Sequence, residues 1–517
     1  MNRPFLITGK MIVLKKRVGT FFLFLLLVMA IYGPLMHKSF ASDDFAVLRR
    51  VVFFKHGIFI KGFFRPLSDI TLYFNYWLAG FDPVVYNLFN FVSHACIVYM
   101  VFLIARRIRW IPAGSRNLFS WLSALLFLTY PFHNESIVWG VGRASLMAAL
   151  FGVMAMLAAV SDLPSRWKYF LASVFYFIGL SGYESIMVLP GIILLLVYDR
   201  ALPLRRYVSW VVWMGVTLAV HLVVRVLVSG VLFGAYGGDT MLAAGNSNSY
   251  GLKYIKVIGR VFLPPMEQSV VLTVLFAALV VVWAIALVIL WKRRKEDAKG
   301  PASLGRLSII LLLSLLIPIM FGVSTRTYEG DRLFYFPSVF TAMWIAWFLI
   351  IFFRGKQVFI AAAAVLLYQV VFSVIAVHNW QRASAITEHL IEAIKNRPQP
   401  RRRIMVVNVP QEYEGAHVLR NGFYDALWLQ GVDTSLVRAV NYTSTEQMRR
   451  QPRVIRPQYK NGQWIIAPEV TVEYARGAAV VSGSSDTGFL LLADSLDTDI
   501  YYWNKEKLLP LQGAGQP

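Results

Sequence analysis

A chain of 517 residues that is 57% hydrophobic and only 15% charged has more apolar surface than a soluble fold of this size can bury, which excludes an ordinary globular enzyme. A net charge of +23 would point a soluble protein toward nucleic acid. Here the basic residues cluster at the ends of apolar runs, the pattern of cytoplasmic loops beside anionic headgroups, so nucleic acid is excluded as a partner and the lipid bilayer takes its place.

In chain order, apolar runs of spanning length fall at 18–36, 86–105, 118–132, 137–160, 169–183, 185–199, 208–229, 269–291, 307–323, 333–353 and 357–378, about eleven segments in all. Lys10, Lys15, Lys16 and Arg17 precede the first run as they would a signal peptide. That run is long for a signal core and no small-x-small cleavage site follows it, so it reads as a retained first helix. Alternate loops then carry Arg106, Arg107, Arg109 and Arg116; Arg166 and Lys168; Arg200, Arg205 and Arg206; Lys292 to Lys295; and Arg354 and Lys356. With the N-terminus cytoplasmic, every inside loop is short and basic, and everything after His378 lies outside. The expected architecture is an all-α polytopic membrane domain over 1–378, followed by a small extracytoplasmic α/β or α+β domain over 379–517.

Three outer stretches remain. "FASDDFAVLRRVVFFKHGIFIKGFFRPLSD" has the mixed patterning of interfacial helices. "GAYGGDTMLAAGNSNSYG" reads as a loop. The tail opens with a polar helix, continues into the β-like "RRRIMVVNVP", and has a glycine-closed helix in "LRNGFYDALWLQG" and short strands in "VTVEYARGAAVVSG". Its last residues, "LQGAGQP", read as disordered.

Charges near a bilayer are costly unless paired or functional, so those at the outer helix ends carry the most information. Adjacent Asp43 and Asp44 repel each other, and at least one is expected to meet a cation, a metal or a reacting proton, unless the pair is a solvated helix cap. Arg65, beside Pro66, suits an anionic ligand. Asn90 and His94 share a helix face and suit either ligand contact or helix-to-helix bonding. His133, Glu135 and Arg143 combine proton-transfer and anion-binding groups on one turn, with a structural Glu–Arg pair as the plain alternative. Tyr183 and Glu184 cap a short hairpin, with Arg225 in the following span. Arg326, Glu329, Asp331, Arg332 and Tyr335 mark the mouth of the tenth span, where arginine forks suit phosphate. All five groups fall on one side of the membrane. There is no phosphate-binding glycine loop, no HExxH, no GxSxG and no dinucleotide fingerprint. Cys96 is the single cysteine, so no intramolecular disulfide is available.

On these residues the chain resembles the GT-C superfamily of membrane glycosyltransferases, in particular the protein O-mannosyltransferase-like branch that includes the transmembrane-and-tetratricopeptide enzymes. The aspartate pair after the first helix matches Asp43-Asp44. Arg-Pro-Leu, Asn-Tyr, Gly, Pro, Asn and His match in "FRPL…FNYWLAGFDPVVYNLFNFVSH", with Asn87 in place of a histidine. The His-Pro-x-His-x-Glu-x-x-x-Trp…Arg pattern matches "YPFHNESIVWGVGRASL", with Tyr130 in place of the first histidine. "LSGYES" matches a Leu-Ser-Lys-Glu hairpin with Tyr183 for lysine, and "GDRLFYFPS" matches an (Asp/Glu)-Arg-Tyr-x-Tyr-x-Pro-Ser motif. No tetratricopeptide repeats follow; the small tail domain stands in their place.

The resemblance implies transfer of a hexose, mannose-like, from a polyprenyl-phosphate donor to an extracytoplasmic glycan, lipid or protein acceptor, with inversion. It assigns the catalytic base to Asp44 or Asp43, with Asp44 slightly favoured. Arg65, His133, Arg143, Arg332 and Tyr335 would hold the donor phosphate and lipid, and Glu135, Glu184, Asp331 and His94 would support them. No cofactor is established, and a divalent metal at the aspartate pair is allowed but has no further ligand in sequence to support it. The missing disulfides and repeats point to a bacterial plasma membrane. A lipid-linked-sugar transporter or flippase, which places its charges near the midplane, and a non-catalytic envelope assembly protein, indifferent to loss of the aspartates, stay open beside the enzyme.

Overall fold

The computed structural model describes residues 4–199, 203–232, 249–266, 269–293, 299–324, 328–397, 402–407, 409–440, 458–460, 463–467, 470–475, 478–483, 491–494, 498–503 and 507–511. Most of the glycine- and asparagine-rich loop, Arg200, Arg294, Lys295, Arg326 and all but the first residue of "LQGAGQP" lie outside these residues. The helices are α1 (Pro4–Tyr32), α2 (Asp43–Phe53), α3 (Pro66–Ala79), α4 (Pro83–Arg107), α5 (Arg116–Leu128), α6 (Asn134–Val138), α7 (Arg143–Val160), α8 (Ser165–Leu180), α9 (Leu189–Val197), α10 (Leu204–Ser229), α11 (Ser249–Phe262), α12 (Ser269–Arg293), α13 (Lys299–Ser314), α14 (Leu316–Phe321), α15 (Tyr335–Phe352), α16 (Lys356–Lys395) and α17 (Phe423–Leu429). The chain folds as two units: Met1–His37 with Val51–His378, and Lys38–Arg50 with Asn379–Pro517.

The first unit is helical. Helices occupy all eleven expected segments, and among the described residues seven are long and apolar enough to cross a membrane. The chain is thus a multi-pass, all-α membrane protein with a strand-containing C-terminal region. Helix starts follow from local chemistry. Pro83 opens α4 behind Asp82, whose carboxylate accepts the Val84 amide at 3.0 Å. Pro318 lacks the amide that would bond back to Ser314, and α13 and α14 are broken apart just before it. Central α7 and α15 are the most enclosed, whereas α1, α10 and α16 turn most of their apolar side chains outward, as a lipid solvent requires. On α10 the buried His221, Arg225 and Ser229 recur every fourth residue, so its polar stripe faces inward.

The second unit mixes strand arrangements. β1 (Arg403–Val407) lies between β4 (Val437–Val440) and β10 (Thr498–Trp503), parallel to both, and β11 (Leu508–Leu511) adds antiparallel to β10. β2 (Glu412–Tyr413) and β3 (Ala416–His417) form a small ladder, and β5 (Gln458–Lys460), β6 (Gln463–Ala467), β7 (Val470–Ala475), β8 (Ala478–Gly483) and β9 (Leu491–Asp494) form an antiparallel meander. Ile404, Met405, Val406 and Trp503 of the mixed sheet are buried, as are Ala426 and Leu427 of α17. The α17 helix ends at Gly431, whose φ of 75° is the left-handed stop expected of that glycine.

Candidate functional site

Two turns at the same end of the helical unit carry most of the expected residues. Between α5 and α7 the chain makes a tight turn through α6. It closes only because Gly142 has no side chain: a Cβ there would lie 2.2 Å from the Glu135 carbonyl oxygen. This brings Glu135 against the second turn, 330–338. One Glu135 oxygen accepts the Arg332 backbone N–H at 2.9 Å and the other accepts its guanidinium. That guanidinium also lies 5.4 Å from the centre of the Trp139 ring. The carboxylate expected to pair with Arg143, eight residues along, instead pairs across the fold.

Arg143 is wholly buried and bonds to neutral groups: Nε to Asn90 Oδ1 at 2.6 Å, Nη1 to Asn75 Oδ1 at 2.5 Å and Nη2 to the Tyr86 carbonyl at 2.9 Å. It ties α3, α4 and α7 together, and Asn90 adds α6 by donating to the Ile137 carbonyl at 3.0 Å. His94 and Tyr335 meet at 2.6 Å between Nδ1 and the phenol oxygen, and His133 Nδ1 lies 3.1 Å from Ser338 Oγ. The His133 ring packs 4.9 Å from Tyr335 and 5.2 Å from His94. Burial, and next the neighbouring His94, hold the His133 imidazole well below its usual range, so it is neutral. The Nε2 atoms of both histidines have no hydrogen-bond partner among the described residues.

Beside these lies a second charged group. Glu184 and Arg225 form a buried ion pair, and the Arg65 guanidinium, half-buried, sits 4.7 Å from the centre of the Tyr183 ring. Among the described residues Arg225 Nε and Nη1, Glu184 Oε2 and both ring nitrogens of buried His221 lack hydrogen-bond partners. A third buried pair joins Asp331 to Arg260, a residue outside the five sequence groups. Arg260 also donates to the carbonyls of Ser324 at 3.0 Å and Leu263 at 2.8 Å, and lies 5.2 Å from the Phe132 ring centre. The sequence signal was there, a lone arginine inside "VIGRVF", but its partner is 71 residues away. Next to Val261, an apolar cavity of about 410 Å3 is walled by Tyr130, Phe132, Trp283, Trp344 and Phe348, with Trp283 and Trp344 stacked at 5.3 Å.

Asp43 and Asp44 belong to the other unit and open α2. Asp44 is buried, and its Oδ2 accepts the Ala41 N–H at 3.0 Å; Asp43 is half-buried and faces Ser42 Oγ at 3.4 Å. Ser42, just before the pair, has φ of 49°, unusual for a residue with a side chain. The conformation is held from within its unit: Ser42 N–H donates to the Val418 carbonyl at 2.7 Å, and Gly422 packs so tightly that a Cβ would sit 1.9 Å from Ser42 oxygen. Arg49 anchors the other end of α2 on Asp425 at 2.8 Å and on the Trp428 ring at 4.3 Å. Buried Lys38 donates to the Ser39 carbonyl at 2.6 Å; burial pushes its ammonium down, opposed by Asp44 and Glu388. Among the described residues no group of three or more His, Cys, Asp or Glu side chains is placed to hold a metal ion.

The chain is 37% identical over 95 residues to protein O-mannosyl-transferase TMTC3 of Mus musculus, a stretch that is 18% of this chain and 10% of that protein. It is 35% identical over 108 residues to protein O-mannosyl-transferase TMTC4 of Homo sapiens, 18% of this chain and 14% of that one. Against protein O-mannosyl-transferase Tmtc1 of Drosophila melanogaster the figures are 32% over 97 residues, 19% and 11%. The matches therefore cover about a tenth of the length of these curated relatives. No family model matches the chain. Its homologues are protein O-mannosyl-transferases.

Proposed function

We propose that the chain is a GT-C-type membrane glycosyltransferase that moves a hexose, mannose-like, from a polyprenyl-phosphate donor to a glycan, lipid or protein acceptor outside the cytosol, with inversion at the anomeric carbon. Its seat on this reading is a bacterial plasma membrane, with the N-terminus cytoplasmic and the C-terminal unit extracytoplasmic. The observation that carries it is the gathering of the motif residues Arg65, His133, Glu135, Glu184, Asp331 and Arg332 at one end of the helices, beside an apolar cavity, in a homologue of mannosyl-transferases.

In the reaction the acceptor hydroxyl attacks the anomeric carbon, its proton passes to an aspartate, and the polyprenyl phosphate leaves with the bonding electrons. Of the aspartates, Asp43 is the better base: Asp44 is buried and already accepts the Ala41 amide, while Asp43 keeps partial exposure. Arg65 and Arg332 are the stronger phosphate candidates. Both retain exposed surface, 21% for the Arg332 side chain, whereas the three guanidinium nitrogens of fully buried Arg143 are already bonded and position α3, α4 and α7. His133 and His94, with Tyr335, support the turn from beneath, and the aromatic cavity suits isoprenoid units of the donor chain. The test is release of label from radiolabelled polyprenyl-phosphate mannose by the purified protein, with membrane extract as acceptor source. Transfer that requires Arg65 and Arg332 supports the reading. Movement of intact donor across vesicles without release of sugar would instead make the protein a flippase.

A further inference from the structure

The opposite end of the helical unit holds a cavity of about 910 Å3 that the proposed reaction does not use. Its lining includes six cationic side chains, Arg107, Arg109, Lys168, Arg206, Lys299 and Arg306, against one carboxylate, Asp199. They come from the end of α4 and the loop after it, the starts of α8 and α10 and the first half of α13, so parts of the chain far apart in sequence converge. On α4 alone, Arg107 lies seventeen residues from Asn90, about 26 Å along a helix, so the two sites are separated by most of a bilayer.

Retention of basic loops on one side of a membrane requires cations in those loops but not their convergence on one concavity. This concavity is built. The Arg306 guanidinium lies 5.0 Å from the Trp110 ring centre and 5.2 Å from that of Tyr198, and its Nη1 donates to the Tyr198 carbonyl at 3.0 Å. Trp110 is itself fixed by an indole N–H donated to the Leu196 carbonyl at 3.2 Å. A held guanidinium loses little further freedom on binding, which favours a ligand. Lys168, just ahead of its span, has its ammonium pushed down first by burial and then by Arg109, with Arg206 adding to this and Asp162 opposing it; an anion would relieve that crowding.

We infer that this cavity binds a phosphate-bearing anion with two or more negative charges. Two sources share that chemistry, a phospholipid headgroup reaching in from the bilayer and a soluble phosphate compound, and the six cations and aromatic wall suit both. The whole 517-residue chain in neutral detergent would be titrated by calorimetry with sodium pyrophosphate and, separately, with dioctanoyl phosphatidic acid, using dioctanoyl phosphatidylcholine as the neutral control. Lys168→Gln/Arg206→Gln should weaken binding about tenfold or more, while Lys356→Gln, exposed and outside the cavity, should bind as wild type. Loss for the lipid alone identifies a headgroup site, and loss for pyrophosphate alone identifies a soluble-phosphate site; loss for both supports a site open to either. Should the double variant lower the unfolding temperature, Lys168→Gln alone is read in its place, with about a threefold loss expected. Affinity no greater than for phosphatidylcholine, unchanged affinity in the cavity variants, or an equal loss in Lys356→Gln overturns the proposal.

Discussion

The two ends of the helical unit treat positive charge in opposite ways. At one end Arg225, Arg260 and Arg332 each meet a carboxylate, Glu184, Asp331 and Glu135, and two of these pairs are almost completely buried. At the other end six cations share a cavity with one aspartate, and the pair that Arg109 makes with Asp162 at 3.8 Å is solvent-exposed. The contrast follows from desolvation. A buried guanidinium is costly unless acceptors meet it, so the first end supplies carboxylates, and for Arg143 asparagine and backbone oxygens, whereas the second stays wet enough to hold cations and to recruit an anion from outside.

The largest effect expected from breaking this contrast is at the buried pair. Asp331→Asn leaves Arg260 buried without its counter-charge and should destabilise the protein by about 3–5 kcal/mol, whereas Arg260→Leu/Asp331→Leu, which removes both charges, should cost less. Unfolding temperatures of the single and double variants read the difference, and equal losses would mean that the pair is not acting as a pair.

Next is Gly422→Ala, whose methyl would collide with the Ser42 oxygen. The expected cost is about 1–3 kcal/mol in stability, together with a loss of transfer larger than that stability change explains, because Ser42 directly precedes Asp43. Transfer falling only in step with the folded fraction would remove the glycine from any positioning role. Arg49→Ala, at a partly exposed ion pair, should cost about 1 kcal/mol or less from the Asp425 contact, with a similar amount from lost stacking on Trp428. The smallest effect is in pH dependence. Because burial keeps His133 neutral, the pH profile of transfer should show no inflection from it between about pH 6 and 8, and His133→Asn should leave the profile's shape unchanged while lowering its height. A profile that loses an inflection in His133→Asn would show that the imidazole titrates there.

Much of this was legible in the sequence. Every long apolar run is mainly helical, because a bilayer leaves the backbone few other ways to satisfy its amides, although the runs at 137–160 and 307–323 are each broken within. The basic helix ends, the hairpin at Glu184, the β-run at 403–407 and the glycine-closed α17 are likewise read from local pattern. Pairing was not legible. Glu135 bonds Arg332, 197 residues away, in preference to nearby Arg143, and Arg143 takes asparagines from α3 and α4. Such choices depend on which helix faces meet, which periodicity does not encode. Nor did hydropathy indicate that Lys38–Arg50, with both aspartates, folds with the C-terminal residues, since that grouping rests on single contacts such as Ser42 to Val418 and Arg49 to Asp425.

The most direct measurement is sugar transfer from polyprenyl-phosphate mannose by wild type, Asp43→Asn and Asp44→Asn side by side, with unfolding temperature recorded for each. Asp43→Asn should fold like wild type and lose transfer by about a hundredfold or more. Asp44→Asn should lose stability first, through its bond to Ala41. Full transfer by a folded Asp43→Asn protein would contradict the role of Asp43 as the base.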